Sequence, residues 1–282
     1  MEYRLILALL LFFPLHDRPS QQKSAEPAPR PYVETGRRQF SFYPGGKLLI
    51  ETLVPGDVKV IGWGRASVMV QSERVFYHLD PEQARLLASQ FPIQLRYTET
   101  SGTIRTSGPP GSDATLEANL TIYVPKEKTD LTIHLLQGDL ALGALNGWVE
   151  ATLNEGNVEA KSLSGYFSAL TQRGDIEVEM SGKRWTGHEF SAVTKKGNVG
   201  LVLPIDYSAA LFLETRDGKM EISYPEQKVE GESAPLRMVT KKNARSLTAA
   251  VGDGGAPVKL LTMSGDVKLS AKDWKPDSPP NE

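Results

Sequence analysis

Apolar and polar positions alternate along this chain in a phrase that returns again and again between Leu131 and Ser270. LLQGDLAL, LNEGNVEA, TQRGDIEV, TKKGNVGL, TRDGKMEI, TKKNARSL and TMSGDVKL each read as an apolar strand, a tight turn and a second strand. The turn residues are Gly138, Gly156, Gly174, Gly197, Gly218, Asn243 and Gly265, with an earlier copy at Gly102. The residues seven and five before each turn, and two and four after it, are apolar everywhere except Thr106 and Arg245. Leu131, Val149, Phe167, Phe190, Leu211 and Val258 fill one of these columns, and Leu140, Val158, Ile176, Val199, Met220 and Val267 another. Between them stand mostly polar residues such as Glu150, Ser168, Glu159 and Glu177. A period of two predicts strands with one face in a core and the other in water.

The turns carry their own chemistry. Glycine, and to a lesser degree asparagine, tolerates a left-handed backbone, and the Asp139, Asn157, Asp175, Asn198 and Asp266 that follow can bond nearby backbone amides. Thr171, Thr194, Thr215, Thr240 and Thr262 precede their turns by the same interval. A phrase that repeats after 18 residues, as from Gly138 to Gly156 to Gly174, is too short to close a core alone. Copies stacked at about 4.8 Å would share one. The expected fold is therefore all-β, a parallel β-helix (β-solenoid). The competing arrangement is a chain of hairpins in an antiparallel meander or sandwich.

Outside the repeat the signals change. Residues 37–74 hold two turns, Pro44-Gly45-Gly46 and Pro55-Gly56-Asp57, between alternating strands, and read as less regular early coils. Residues 81–91, PEQARLLASQF, open on proline after Asp80 and set Ala84, Leu87, Ala88 and Phe91 on one face, which predicts a short helix. Lys183 to Glu189 is an insertion relative to the shortest phrase and is expected to bulge outward. The apolar run Leu5 to Leu15 behind Arg4 matches a secretory signal more closely than a membrane span. The chain is thus divided into a signal peptide or N-terminal anchor (1–19), a Pro/Gln-rich spacer (20–35), a β-solenoid domain (36–274) and a disordered tail (275–282).

Composition narrows the function classes. With 282 residues, 40% of them hydrophobic, the chain can fill one sizeable domain. The absence of cysteine excludes disulfides, thiol catalysis and thiolate metal sites, and a net charge of −2 excludes a broad nucleic-acid-binding field. His78, His134 and His188 stand singly, without the spacing or acidic partner of a metal site, and no nucleophile elbow or phosphate-binding glycine loop is present. No catalytic residue, metal or cofactor is expected. Glu159 and Glu177 occupy one column a phrase apart, which would set their carboxylates about 5 Å from each other, near the separation used by retaining glycosidases. A solvated face is the plainer reading. The Asp and Asn of the turns suggest calcium, but a single glycine before each acid fits turn capping better than a calcium-binding roll. Trp148 and Tyr166 share a position eight before successive turns and should stack at one corner; with Phe212 in an outward column and Trp185 in the insertion, they are the candidate binding residues.

PGGKLLIETLVPGDVKVIGWGRASVMVQSE, VPKEKTDLTIHLLQGDLAL and the run of T-x-x-G-[DN]-[VI] phrases with LPIDYSAALFLETRDGKMEI together resemble a bacterial family of β-helical proteins called "putative adhesin", over residues 36–271. The Asn243-Ala244-Arg245 phrase departs from that pattern. The resemblance implies a cell-envelope or extracellular setting. The expectation is an exported protein of the periplasm, cell surface or medium that binds, adheres or scaffolds without catalysis, with a surface glycan or an envelope protein as partner and a membrane only if the N-terminal segment is retained. The alternatives are a polysaccharide-active enzyme using Glu159 and Glu177, and a membrane-anchored envelope sensor or accessory protein.

Overall fold

The computed structural model describes residues 30–229, 232–234, 236–241 and 244–272. Strands β1 (Tyr32–Ser41), β2 (Lys47–Thr52), β3 (Val58–Trp63) and β4 (Ser67–Phe76) precede the helix α1 (Pro81–Gln90). Then come β5 (Gln94–Tyr97), β6 (Ser101–Thr106), β7 (Leu116–Pro125), β8 (Glu127–Gln137), β9 (Leu140–Glu155), β10 (Val158–Arg173) and β11 (Ile176–Glu179). The last third holds β12 (Gly187–Lys196), β13 (Val199–Pro204), β14 (Ala209–Asp217), β15 (Met220–Ser223), β16 (Gln227–Val229), β17 (Glu232–Ala234), β18 (Val239–Lys241), β19 (Ala244–Val251), β20 (Pro257–Ser264) and β21 (Val267–Lys272). The fold is all-β with one α-helix, and its main sheet mixes parallel and antiparallel pairs.

The phrases stack as their alternation requires. Strands before the turn run parallel through β6, β2, β8, the second half of β9, the second half of β10, β12, β20 and β14. Strands after it run parallel through β7, β3, the first half of β9, the first half of β10, β11, β13, β21 and β15. Registers are those of the sequence columns: Val158 faces Ile176, which faces Val199, and Phe167 faces Phe190. Inward residues of both ladders form one continuous core from Phe40 to Leu269. A second, smaller core of Val54, Phe76, Leu116 and Ala118 packs against Ala84 and Ala88 of α1. Asp80 caps that helix by accepting from the amides of Glu82 and Gln83. At the other end the buried Arg74 donates to the carbonyls of Ala88 and Phe91 and pairs with Glu34.

Three features depart from the sequence pattern or add to it. A wholly parallel stack does not form, because both ends turn antiparallel: β1 on β4 and β4 on β7, β5 on β6, β19 on β14, and β18 on β19. The Gly102 and Asn243 phrases therefore fold back. Tyr97 and Met238, counted as core columns, end up exposed because an end strand has no rung above to cover it. Secondly, the rungs do not stack in chain order. Residues 47–63 slot between β6/β7 and β8/β9, and β20/β21 slot between β12/β13 and β14/β15. Thirdly, the insertion at residues 183–189 does not bulge away. Arg184 bridges to Ser208, the Lys183 carbonyl accepts from the Ser208 amide, and Trp185 turns inward against Phe190. The helix ends at Gln90, and β1 begins at Tyr32, inside the span assigned to the spacer. The signal segment, the tail from residue 275 and the Asn243 turn lie outside the described residues. No helix among the described residues is long and apolar enough to cross a membrane.

Candidate binding site

The turn column supplies the frame. In spatial order it reads Asn119, Asp57, Asp139, Asn157, Asp175, Asn198, Asp266 and Lys219, and the side chain of each of the first seven accepts a hydrogen bond of 2.7–2.9 Å from the backbone amide of the next. The expected capping is thus present, but it runs between rungs rather than within each turn. Behind it, the hydroxyls of Thr171, Thr194, Thr262 and Thr215 donate to the carbonyls of Gly156, Gly174, Gly197 and Gly265. Glycine is needed because the carbonyl of the neighbouring rung fills the place of a side chain: a Cβ on Gly156, at φ 142°, would lie 1.9 Å from the Gly138 oxygen. Mixing Asn among the Asp residues keeps most carboxylates from facing one another on adjacent rungs.

Beside this column lies a trough of about 1080 Å³ on the outer face. Its floor is β7, β3, β9, β10 and β11, and the antiparallel pair β4 and β1 curls up as a wall, presenting Gln71, Glu73, Thr35 and Arg37. In-register pairing sets Thr121, Lys59, Ala141, Glu159 and Glu177 side by side across the floor. Glu159 pairs with Lys161 on its own strand. Glu177 leans over the bare backbone of Gly200, where a Cβ would lie 2.1 Å from its Oε2, and so approaches Lys268 on the rung beyond. Burial, then the neighbouring Asp175 and Glu159 charges, push the Glu177 carboxyl above its ordinary value, against the opposing pull of Lys268. Both the trough and this shift are tertiary features: the sequence places the two glutamates in one column but shows neither the β1 and β4 residues that share the trough with them nor the gap at Gly200.

A second groove, of about 640 Å³, lies on the other ladder. Trp148 and Tyr166 stack there as expected, with ring centroids 3.8 Å apart and planes 17° from parallel. The indole Nε1 donates to Glu150 at 2.8 Å, and the residue is 43% exposed. Tyr166 covers one ring face. The other is turned toward the rung of Asp130 and Lys47, and together with Thr132, Leu49 and Ser101 they line the groove. Phe212 is also exposed, at 41%, but it lies several rungs away beside Lys259. Trp185 is only 4% exposed and packs edge-on to Phe190 with ring centroids 5.2 Å apart, so the structure removes it from the candidate surface. Its indole thereby becomes part of the continuous core rather than of the surface.

Among the described residues no group of three or more His, Asp or Glu is placed to hold a metal ion. No family model matches this chain, and no curated protein does. Among solved structures the chain is similar to a "putative cell adhesion protein" from Clostridium sporogenes, with a TM-score of 0.40 and 10% identity, covering 85% of this chain and 100% of that one. It is similar also to a "putative adhesin" from Bacteroides fragilis, with a TM-score of 0.26 and 11% identity over 85% of this chain and 97% of that one. A "putative lipid binding protein" from Parabacteroides distasonis has a TM-score of 0.21 and 10% identity, with 83% and 96% of the two chains covered.

Proposed function

We propose that this protein is an exported β-solenoid of a bacterial cell envelope that binds, adheres or scaffolds without catalysis, and that Trp148 on its Tyr166 support is the contact for a surface glycan or envelope protein. The carrying observation is an indole held flat by a stacked ring, its free face bordering a groove with Lys47, Asp130 and Thr132 around it. A rigid aromatic plane beside hydrogen-bonding groups suits the apolar face and hydroxyl rim of a sugar, and loses little entropy on binding. The parallel registers of the central phrases support the solenoid, and the apolar run Leu5 to Leu15 supports export.

The test is a binding screen of residues 30–272 against surface glycans and envelope proteins, followed by W148A. Truncating the stacked indole should weaken the best ligand about tenfold, while F212A leaves it unchanged. If every ligand found tolerates W148A, the assignment fails. Mass spectrometry of the N-terminus of the cell-derived protein separates the exported form from an anchored sensor, since only the latter retains residues 1–19.

The polysaccharide-active reading keeps one observation in its favour, the position of Glu159 and Glu177 in a shared trough with one carboxyl raised. Under that reading E159Q/E177Q abolishes glycan turnover. Under the binding reading there is no turnover to lose.

A further inference from the structure

We propose that the ligand unit taken at Trp148 is an uncharged sugar ring, standing on its edge in a slot between the indole and Lys47, with neighbouring hydroxyls on the Asp130 carboxylate. This rests on Trp148 being the contact, and the residues around it favour a glycan over a protein partner. Strand register builds the slot. Tyr166, Trp148, Asp130, Lys47 and Ser101 face one another in that order across β10, β9, β8, β2 and β6. The two aromatic rings lie 3.8 Å apart and 17° from parallel, so they stack along the line on which the strands follow one another. The free indole face therefore looks across Asp130 toward Lys47. Strands lie about 4.8 Å apart, which sets the backbones of Trp148 and Lys47 about 10 Å from each other, with only the shorter aspartate side chain between them. That interval admits one ring in contact with the indole and no second one.

The floor and rim of the slot decide what the ring is. Among the described residues no hydrogen-bond donor reaches the Asp130 carboxylate and no acid pairs with Lys47, although the two are in register on neighbouring strands. The indole Nε1 is already spent on Glu150, so the polar contacts of the slot fall to Asp130. A carboxylate only accepts, so the edge of the ring must carry donors; the hydroxyls of Thr132 and Ser101, which line the same groove, both donate and accept. A ring with apolar C–H faces and neighbouring hydroxyls on its edge meets all these demands. The phenyl ring of a protein partner would stack but offers Asp130 no donor. A guanidinium would stack and donate, but Lys47, one strand from the carboxylate, opposes a second cation. An anionic ring meets the Asp130 charge directly beneath the indole. Among the described residues that line the groove, Lys47 and Asp130 carry the only charges, one of each sign, which favours a ring with no net charge.

The probes are neutral tetraoses of glucose, galactose and mannose, with galacturonate and glucosamine tetraoses as charged counterparts and a tetra-arginine peptide as the protein-like rival. Each is titrated into the full chain labelled with 15N and read at the Trp148 indole resonance, assigned by its absence in W148F. At least one neutral tetraose should shift that resonance, binding about tenfold more tightly than its charged counterparts or the peptide. D130A should weaken it about tenfold, and E221Q, on β15, should leave it unchanged. D130N keeps the shape of the side chain with a single acceptor oxygen and should weaken binding too, so the reading survives a D130A that does not fold; thermal unfolding checks each variant. Binding by no neutral tetraose, equal or tighter binding by a charged tetraose or the peptide, or indifference to D130N overturns the proposal. A protein ligand lost in W148A while every sugar fails would remove the sugar ring and leave Trp148 as the contact, whereas ligands that all tolerate W148A would remove both.

Discussion

At the scale of single residues, the turn column ties each rung to the next. The Asn157 side chain accepts from the Asp175 amide, and its own amide donates to Asp139, so it joins two rungs. Asn157→Ala removes one hydrogen bond and leaves an exposed amide that water can satisfy; a loss of about 1 kcal/mol in denaturant unfolding is expected. Gly156→Ala must push a methyl group into the Gly138 carbonyl in a backbone region that favours glycine, and should cost about 3 kcal/mol or more. Glu177 gives a pH signature. Its folded pKa is raised, so the folded protein holds its proton more firmly than the unfolded chain, and stability declines as pH rises from about 4.5 through the higher folded value. E177Q should therefore melt above the wild type at neutral pH, and the difference should vanish below the ordinary carboxylate range. A constant difference across that range would show that Glu177 does not carry the penalty.

At the scale of elements, β20 and β21 join two parts of the stack. They are covered on both sides, by β12 and β13 on one and by β14 and β15 on the other. Leu260 is buried between Ala192 and Leu213, so Leu260→Ala should cost about 3 kcal/mol. Met238 occupies the same column of the repeat but is 40% exposed beside an end strand, and Met238→Ala should shift stability by under about 0.5 kcal/mol. Thermal or urea unfolding of the pair distinguishes a column read from sequence from a column that has neighbours. The helix α1 is the other informative element. Pro81 at its first turn and the Asp80 side chain on two amides start it, and Asp80→Ala should cost about 1 kcal/mol.

At the scale of the molecule, the stack is closed from outside its own chain order. The rung nearest the middle of the C-terminal half is contributed by the last described strands, so β12 and β14 have no direct ladder between them and are joined through β20. A chain ending at Gly255 should lose amide-exchange protection in β12 to β15 while β8 to β10 remain protected, because the latter find their partners within adjacent phrases. Uniform loss across the molecule would instead indicate a single cooperative unit. The antiparallel strands at both ends replace the exposed parallel edges a bare stack would present, although β1 still leaves one edge open.

The repeat was legible because its information is local. Alternation, the glycine of the turn and the Asx after it dictate strand, turn and inward face without reference to anything distant, and so Val158, Ile176 and Val199 line up as their columns require. The same holds for the helix at Pro81 and for the stacked pair Trp148 and Tyr166, which follow from spacing. Which rung lies beside which is a different kind of question. Every phrase offers nearly the same apolar edge, so the pattern is degenerate with respect to order, and only global packing selects β20 as the neighbour of both β12 and β14. The inward turn of Trp185, the antiparallel ends, and the trough that β1 and β4 line together with Glu159 and Glu177 come from that same selection. Local chemistry thus sets what each phrase becomes, and long-range packing sets where it goes, because side-chain alternation carries no label for its partner.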